Sequence, residues 1–312
     1  MLPTQKPTQA TNLRKRVVRA TVVVTSMVVM AAILMYGMGA VGFSLLQTQP
    51  QVYDFEVVNE YPHDPAAFTQ GLLYDEECNS TGECKGIFWE STGLYGRSTV
   101  RKVDMETGEV LMVTHNEPEH FGEGLAKLNG LHQLLWRIGL GFTYDTKTLE
   151  RNGTFDTGLR DGWGLTTDGK WLLATDSGPK LYWLDPETHM VEKSLTVTDG
   201  GQAVKKLNEL EWIEGEVWAN VWLTDCIARI DPNNAQVTGW VMLQSLTAGL
   251  RARKLPQKDR MDVLNGIAWD ETRRRIFVTG KLWPRMFEIS LVRRPNVGEE
   301  ELQKLRTMCI PR

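Results

Sequence analysis

Five short stretches of this 312-residue chain are alike: FTQGL at residues 68–72, FGEGL at 121–125, DGWGL at 161–165, LNELE at 207–211 and VLNGI at 263–267. Each begins a unit of about 40–57 residues, a period in the range expected of propeller blades. Each unit continues with a hydrophobic run, a second run that ends in Asp, a tight turn and a last short strand. The repetition therefore predicts an all-β fold, a five-bladed β-propeller whose loops meet at one mouth.

The turns inside these units have a recognisable chemistry. Asp145, Asp185 and Asp231 each end a strand-like run and are followed by Thr or Pro, and an Asp side chain can bond the backbone two residues further on. Short runs separated by such turns, without a sustained helical period, indicate β-structure. Residues 52–58 precede the first unit and are predicted to supply the outer strand of the fifth blade. Residues 246–258 form a polar insertion, predicted to be a loop or a short helix.

The composition is that of a globular protein, with 42% hydrophobic and 24% charged residues. The charge is divided unevenly, because the first 50 residues contain five basic residues and no acidic one. The rest of the chain has 30 basic against 39 acidic residues, a net charge of about −9. An acidic surface of this kind argues against nucleic acid as a partner.

Residues 20–46 form a run of 27 residues without a charge, which exceeds the roughly 20 residues needed to span a bilayer. The basic cluster that ends at Arg19 favours a cytoplasmic N-terminus. We therefore expect a basic cytoplasmic segment 1–19, a transmembrane signal-anchor helix 20–46, a linker 47–51 and an extracytoplasmic propeller domain 52–312. A cleaved signal peptide is the alternative, although its apolar core would normally be only about 7–15 residues long.

Four cysteines suit an oxidising compartment outside the cytoplasm. Cys78 and Cys84 flank a short polar loop that a local disulfide could close. Cys226 and Cys309 are predicted to form the second pair, unless both thiols stay free. No Cys-x-x-Cys motif or nearby histidine supports a metal site at these cysteines.

Two groups of residues are predicted to line the mouth of the propeller. The first group lies at the Gly-Leu step of each repeat and consists of Gln70, Glu123, Trp163, Glu209 and Asn265. The second lies at the ends of the second strands and consists of Glu90, Trp136, Asp176, Trp218, Asn220, Trp222 and Lys281. Aromatic walls with a few polar groups make a small-molecule pocket. The alternative is that the tryptophans pack between blades.

Glu90 is the carboxylate that this pattern singles out, because it directly follows Ile87, Phe88 and Trp89. A carboxylate beside aromatic rings tends to be desolvated, which raises its pKa toward the range useful for proton transfer. One alternative is a structural carboxylate that accepts backbone N–H bonds at the following turn. Glu123, Glu209 and Glu211 are ambiguous in the same way, and acidic residues repeated around the axis can hold a structural cation.

Several catalytic motifs are absent from the sequence. It has no G-x-S-x-G, no H-E-x-x-H and no phosphate-binding Gly-Lys-Ser/Thr loop. Its five histidines do not have the spacing of a metal triad. We therefore expect no metal and no cofactor, and a chemistry that needs one proton-shuttling carboxylate in an aromatic pocket.

At these residues the chain closely resembles the plant and bacterial type of the glutaminyl-peptide cyclotransferase (glutamine cyclotransferase) family. The resemblance spans roughly residues 53–290, and its motifs lie at 61–72, 90–96, 121–125, 208–211, 216–225, 264–268 and 279–284. It implies a five-bladed propeller and an acyltransferase that converts the N-terminal glutamine of peptides or proteins to pyroglutamate with loss of ammonia.

The resemblance also implies the site residues. The acid/base glutamate of the family falls on Glu90. The aromatic residues of the pocket fall on Phe68, Phe88, Trp136 and Trp222, and the polar substrate contacts fall on Gln70, Asn208 and Lys281. Two other classes of protein stay open at this point: a non-enzymatic propeller that binds peptides or partner proteins, and a calcium-dependent propeller enzyme of the lactonase kind.

Overall fold

The structure, a computed structural model, describes residues 49–255 and 257–311. Within these residues the chain consists mainly of β-strands, with two α-helices and one 3-10 turn, so the predicted all-β class is confirmed. The segments 1–19 and 20–46, predicted to be cytoplasmic and transmembrane, lie outside the described residues. Among the residues that are described, no helix has the length and apolar character needed to cross a bilayer.

The first strand, β1 (Gln51–Pro62), is followed by three antiparallel four-stranded sheets, each ordered as along the chain. The first sheet contains β2 (Thr69–Cys78), β3 (Cys84–Thr92), β4 (Thr99–Asp104) and β5 (Val110–His115). The second contains β6 (Gly122–Lys127), β7 (Leu131–Leu135), β8 (Leu140–Tyr144) and β9 (Arg151–Asp156). The third contains β10 (Gly162–Thr167), β11 (Leu172–Asp176), β12 (Lys180–Leu184) and β13 (Val191–Thr196), and a hairpin of β14 (Thr198–Asp199) and β15 (Gln202–Ala203) follows it.

An eight-stranded sheet joins the two ends of the described chain. It contains β16 (Leu207–Ile213), β17 (Glu216–Val221), β18 (Cys226–Ile230), β19 (Val237–Met242), β20 (Leu264–Asp270), β21 (Arg275–Gly280), β22 (Arg285–Arg293) and β1. β1 pairs in parallel with β19 and antiparallel with β22, where Tyr53 lies opposite Arg293 and Pro62 opposite Arg285. Residues 52–58, predicted to supply the outer strand of the fifth blade, thus pair with strands from the C-terminal part of the chain.

Two helices and two disulfides complete this part of the chain. The helix α1 (Gln244–Ala252) lies in the predicted insertion and precedes the 3-10 turn Lys258–Arg260, and α2 (Glu299–Cys309) follows β22. The Cys226–Cys309 disulfide connects β18 to α2, and the Cys78–Cys84 disulfide closes the turn between β2 and β3. Both predicted cysteine pairs are confirmed.

Aspartate side chains hold the tight turns between strands, as predicted. Asp145 Oδ1 accepts the backbone N–H of Lys147 at 2.8 Å, and Asp185 Oδ1 accepts that of Glu187 at 3.0 Å. These bonds satisfy backbone donors that the ladder leaves unpaired at a strand end.

The first strands of the three four-stranded sheets (β2, β6 and β10) and the two edge strands of the eight-stranded sheet (β16 and β20) are the inner strands, and each lies against the next. β2 contacts β6, β6 contacts β10, β10 contacts β16, β16 contacts β20, and β20 contacts β2, so these strands close a ring. A Cβ atom at Gly124 would collide with the backbone nitrogen of Leu165, and one at Gly164 would collide with the carbonyl oxygen of Asn208. The repeated Gly-Leu step thus marks the place where inner strands meet backbone to backbone.

Candidate active site

A cavity of about 320 Å³ opens beside the N-terminal ends of the inner strands. The beginnings of inner strands supply Phe68, Gln70, Phe121, Glu123, Trp163 and Asn208. The loops that follow second strands supply Trp136, Trp222, Leu223 and Lys281, and Asp262 lies two residues before β20. One end of the ring therefore gathers side chains from all of its inner strands or their neighbours.

Strand register explains which repeat residues meet in the cavity. The register of β10 shifts just before Leu165, and the register of β16 shifts just before Leu210. Leu210 is thus the equivalent of Leu165, and Asn208 rather than Glu209 is the equivalent of Trp163. The prediction that Glu209 takes the fourth mouth position is wrong by one residue.

Glu209 instead takes the place that glycine has in the other repeats. Its Oε2 accepts the backbone N–H of Ile267 at 2.8 Å and its Oε1 that of Leu72 at 3.3 Å. Burial, together with the charge of Glu211, raises the pKa of Glu209 well above its ordinary value. Its side chain therefore joins inner strands to one another and does not line the cavity.

Glu123 is the glutamate that lines the cavity. Only 4% of the residue is exposed. Burial raises the pKa of its carboxyl to about 8; the ammonium of Lys281 acts against this shift, and the charge of Asp161 adds to it. A carboxyl with a pKa near neutrality can both accept and return a proton under physiological conditions.

Aromatic rings form the walls around Glu123. Phe121 meets Phe68 edge to face, with ring centroids 6.0 Å apart, and its centroid lies 5.3 Å from that of Trp136. On the other side of the cavity, Trp163 and Trp222 meet edge to face at 5.5 Å. The predicted aromatic pocket is present, and these tryptophans stay partly accessible at the mouth.

Besides Glu123 and the half-buried Asp262, three polar side chains line the cavity, and each is almost fully buried: Gln70, Asn208 and Lys281. Asn208 Oδ1 is buried and has no hydrogen-bond partner in the part of the chain that the structure describes. Burial lowers the pKa of Lys281, against the opposing charges of Glu123 and Asp262. Unpaired buried polar atoms cost free energy unless a ligand satisfies them, so this lining is suited to a small polar group.

Glu90 lies outside this cavity, in the interior of the first sheet. Its Oε1 lies 2.7 Å from Thr69 Oγ1 and 3.0 Å from His63 Nε2, and its Oε2 accepts bonds from Arg101 Nε and Nη2 at 2.8 and 2.7 Å. Burial alone would raise the pKa of Glu90, but the charge of Arg101 and the bonds from His63 and Thr69 hold it well below its ordinary value. The predicted rise in this pKa is wrong, because the prediction left out the ion pair.

Phe88 is likewise placed away from the cavity. It packs in a buried cluster where its ring meets Phe277 at 5.2 Å and Tyr74 at 5.9 Å. The other six predicted substrate contacts do come together, and they are Phe68, Gln70, Trp136, Asn208, Trp222 and Lys281.

The cavity also contains Phe121, Leu223 and Asp262, which the sequence did not single out, and Glu123 and Trp163, which were predicted to line the mouth but not to contact the substrate. A signal for two of them was available, because Glu123 and Trp163 are the repeat equivalents of Gln70. The hydrophobic run before Glu90 and the family motif at residues 90–96 both point instead to Glu90.

The cavity offers no metal centre. Within residues 49–255 and 257–311, no three His, Cys, Asp or Glu side chains are grouped so that they could hold a metal ion. The chemistry that the cavity can perform rests on two carboxyls, one amine, two amides and five aromatic rings.

Comparison with known proteins first defines the class. A solved glutaminyl cyclase from Myxococcus xanthus superposes with a TM-score of 0.70 and 33% identity, covering 79% of this chain and 100% of that one. The fold is thus the β-propeller-like fold of a glutaminyl cyclase. A glutaminyl-peptide cyclotransferase of Arabidopsis thaliana is 48% identical over 250 residues, which is 80% of this chain and 74% of the relative.

The family follows from a third comparison. The family model described as glutamine cyclotransferase matches residues 27–291. The chain belongs to the glutamine cyclotransferase family, as its motifs predicted.

Proposed function

We propose that this enzyme cyclises the N-terminal glutamine of peptides or proteins to pyroglutamate and releases ammonia, as a glutaminyl-peptide cyclotransferase. The observation that carries the proposal is Glu123, a buried carboxyl with a pKa of about 8 inside an aromatic cavity. The name of the Arabidopsis relative supports the same activity.

The reaction is an intramolecular acyl transfer. The α-amine nitrogen attacks Cδ, the carbonyl carbon of the glutamine side-chain amide, a new C–N bond forms, and the carbonyl oxygen becomes an oxyanion. Glu123 takes one proton from the attacking nitrogen and delivers it to the amide nitrogen. The carbonyl then reforms, the old C–N bond breaks, and the amide nitrogen leaves as ammonia.

Glu123 suits this shuttle better than Glu90, which the motifs singled out. A general acid/base is most effective when its pKa lies near the working pH, and the α-amine itself has an ordinary pKa of about 7.7–8.0. Glu90 is held as a carboxylate by Arg101 and does not line the cavity. Its role in this proposal is structural.

The polar residues that line the cavity supply the remaining contacts to the substrate glutamine. Asn208 Oδ1 accepts a hydrogen from the α-amine, which gives this buried atom a partner. Gln70 and Lys281 donate to the γ-carbonyl oxygen, where negative charge develops. Donors that are already in place in a buried site stabilise this charge without reorganising during the reaction.

The aromatic walls fold the substrate. Attack within one residue needs the flexible glutamine side chain to bend back on its own amine, and fixing that geometry lowers the barrier substantially. Phe68, Phe121 and Trp136 form one wall and Trp163 and Trp222 the other. We assign them the task of selecting the bent rotamer.

We also propose that the domain is a five-bladed propeller. The three four-stranded sheets count as three blades, and β16–β19 count as a fourth. β20, β21, β22 and β1 make the fifth, which the N-terminal strand closes. The contacts of five inner strands in a ring support this count.

For the chain before the domain we propose a single-pass membrane anchor at residues 20–46, with a cytoplasmic N-terminus and the enzyme on the opposite side. The uncharged run, the basic residues before it and two disulfides support this arrangement. Extraction of membranes with alkaline carbonate tests it: retention of the chain in the bilayer supports an anchor, and release contradicts it.

The activity is tested with the full-length protein in detergent and a short peptide that begins with glutamine. We expect ammonia and the cyclised peptide, and neither product from the same peptide with an acetylated α-amine, because the acetylated nitrogen cannot attack. Well-folded protein that yields no product would contradict the proposal and favour a propeller that only binds peptides.

A further inference from the structure

Asp161 lies just before β10 and connects two tryptophans of the cavity. Its Oδ1 accepts the indole N–H of Trp136 at 2.9 Å and that of Trp163 at 3.2 Å. Trp136 follows β7 in the second sheet and Trp163 lies in β10 of the third. One carboxylate oxygen thus ties together side chains from two different sheets.

These two bonds fix the planes of both indoles. An indole has a single N–H donor, so each ring commits that donor to Asp161. Trp136 in turn packs on Phe121, and Trp163 packs on Trp222. Both aromatic walls of the cavity are therefore connected through Asp161.

The same carboxylate acts on Glu123 through its charge. The charged groups that face Glu123 are Lys281, from the loop after β21, and Asp161, from the start of β10. Lys281 favours the ionised form of Glu123 and Asp161 disfavours it. Removing the charge of Asp161 should therefore make the carboxylate of Glu123 available at lower pH.

We propose that Asp161 is a positioning residue for the cyclisation: it locks Trp136 and Trp163 into the walls that bend the glutamine side chain, and its charge faces the proton shuttle Glu123. This inference rests on the proposed function. It separates two contributions of one side chain, because one substitution removes the negative charge alone and another removes the charge and the acceptor oxygen together.

The experiment uses two substitutions in the full-length protein. Asp161→Asn keeps an acceptor oxygen and loses the charge, so KM for the peptide Gln-Ala-Ala should change less than threefold. The acid limb of its kcat profile should move down by about half a pH unit. Asp161→Ala loses both, and its KM should rise roughly tenfold.

Asp168→Ala is the matched control, because Asp168 only accepts backbone N–H bonds in the β10–β11 turn. It should leave both KM and the pH profile unchanged. In a background with Trp136→Phe and Trp163→Phe, which lack the indole N–H, Asp161→Ala should no longer raise KM tenfold.

Two results would overturn the proposal. An unmoved kcat profile in Asp161→Asn removes the electrostatic role, and an unchanged KM in folded Asp161→Ala removes the positioning role. If the wild type itself forms no product, the proposed cyclisation is wrong. Calorimetric binding of Gln-Ala-Ala then tests whether Asp161 positions the aromatic walls. Equal affinity of the wild type and Asp161→Ala overturns the inference.

Discussion

Two glutamates in neighbouring sheets are buried to nearly the same degree, with 1% of Glu90 and 4% of Glu123 exposed. Their electrostatic surroundings are nevertheless opposite. The pKa of Glu90 is held well below its ordinary value, whereas that of Glu123 is raised to about 8. The two sites show that burial alone does not determine what a carboxyl can do.

The partners make the difference. Glu90 receives two bonds from the guanidinium of Arg101, which lies directly opposite it on β4, and further bonds from His63 and Thr69. The ionisation of Glu123 is influenced by the ammonium of Lys281 and by the carboxylate of Asp161. The surroundings of Glu90 keep it ionised, whereas those of Glu123 let it gain and lose a proton near neutral pH.

The largest effect on stability is expected from Arg101→Met. Removing one partner leaves Glu90 as an uncompensated buried charge, so the free energy of unfolding should fall by about 3–5 kcal/mol. Denaturant titration at neutral pH measures this loss.

Lys102→Met is the matched control on the same strand, because Lys102 pairs with Glu77, whose side chain is 60% exposed. A pair that is exposed on one side contributes at most about 1 kcal/mol. Equal losses for the two variants would contradict the view that Glu90 is anchored by its ion pair.

A smaller effect is expected from Glu123→Gln on the pH dependence of stability. Because the folded pKa lies above the ordinary value of 4.5, the folded protein binds the proton more tightly than the unfolded chain. Wild-type stability should therefore fall as the pH rises from about 4.5 to about 8. Glu123→Gln has no carboxyl to titrate at this position, so its stability lacks this fall with rising pH.

Melting temperatures at pH 5, 7 and 9 measure the difference. We expect the variant to gain on the wild type by at least about 2–4 °C between pH 5 and pH 9. A gap that stays constant with pH would show that Glu123 titrates as an ordinary exposed carboxyl.

Much of the fold could be predicted because its signals are local. The repeated Gly-Leu steps, the Asp turns and the strand at residues 52–58 follow from periodicity and turn chemistry. Of the six predicted contact residues that line the cavity, all except Trp136 lie in continuous motifs. The register of the fourth repeat was missed, because Glu209 stands where the other repeats have glycine and a motif comparison does not reveal strand register.

The surroundings of Glu90 were missed for a different reason. Arg101 and His63 reach it from other parts of the chain, and the aromatic residues beside it suggested desolvation without a partner. Glu123 has its partner Lys281 from the last sheet. The distinction between the two glutamates thus depends on contacts between distant segments, which the local sequence does not contain.

The most direct measurement compares Glu90→Gln with Glu123→Gln in turnover of a glutaminyl peptide, normalised to the folded fraction of each protein. We expect Glu123→Gln to lose about 10²–10⁴-fold in kcat, as for removal of a general acid/base. Glu90→Gln should lose stability and keep at least about a tenth of the wild-type kcat per folded molecule. The reverse outcome, with Glu123→Gln active and Glu90→Gln folded but inactive, would contradict the assignment of the proton shuttle to Glu123.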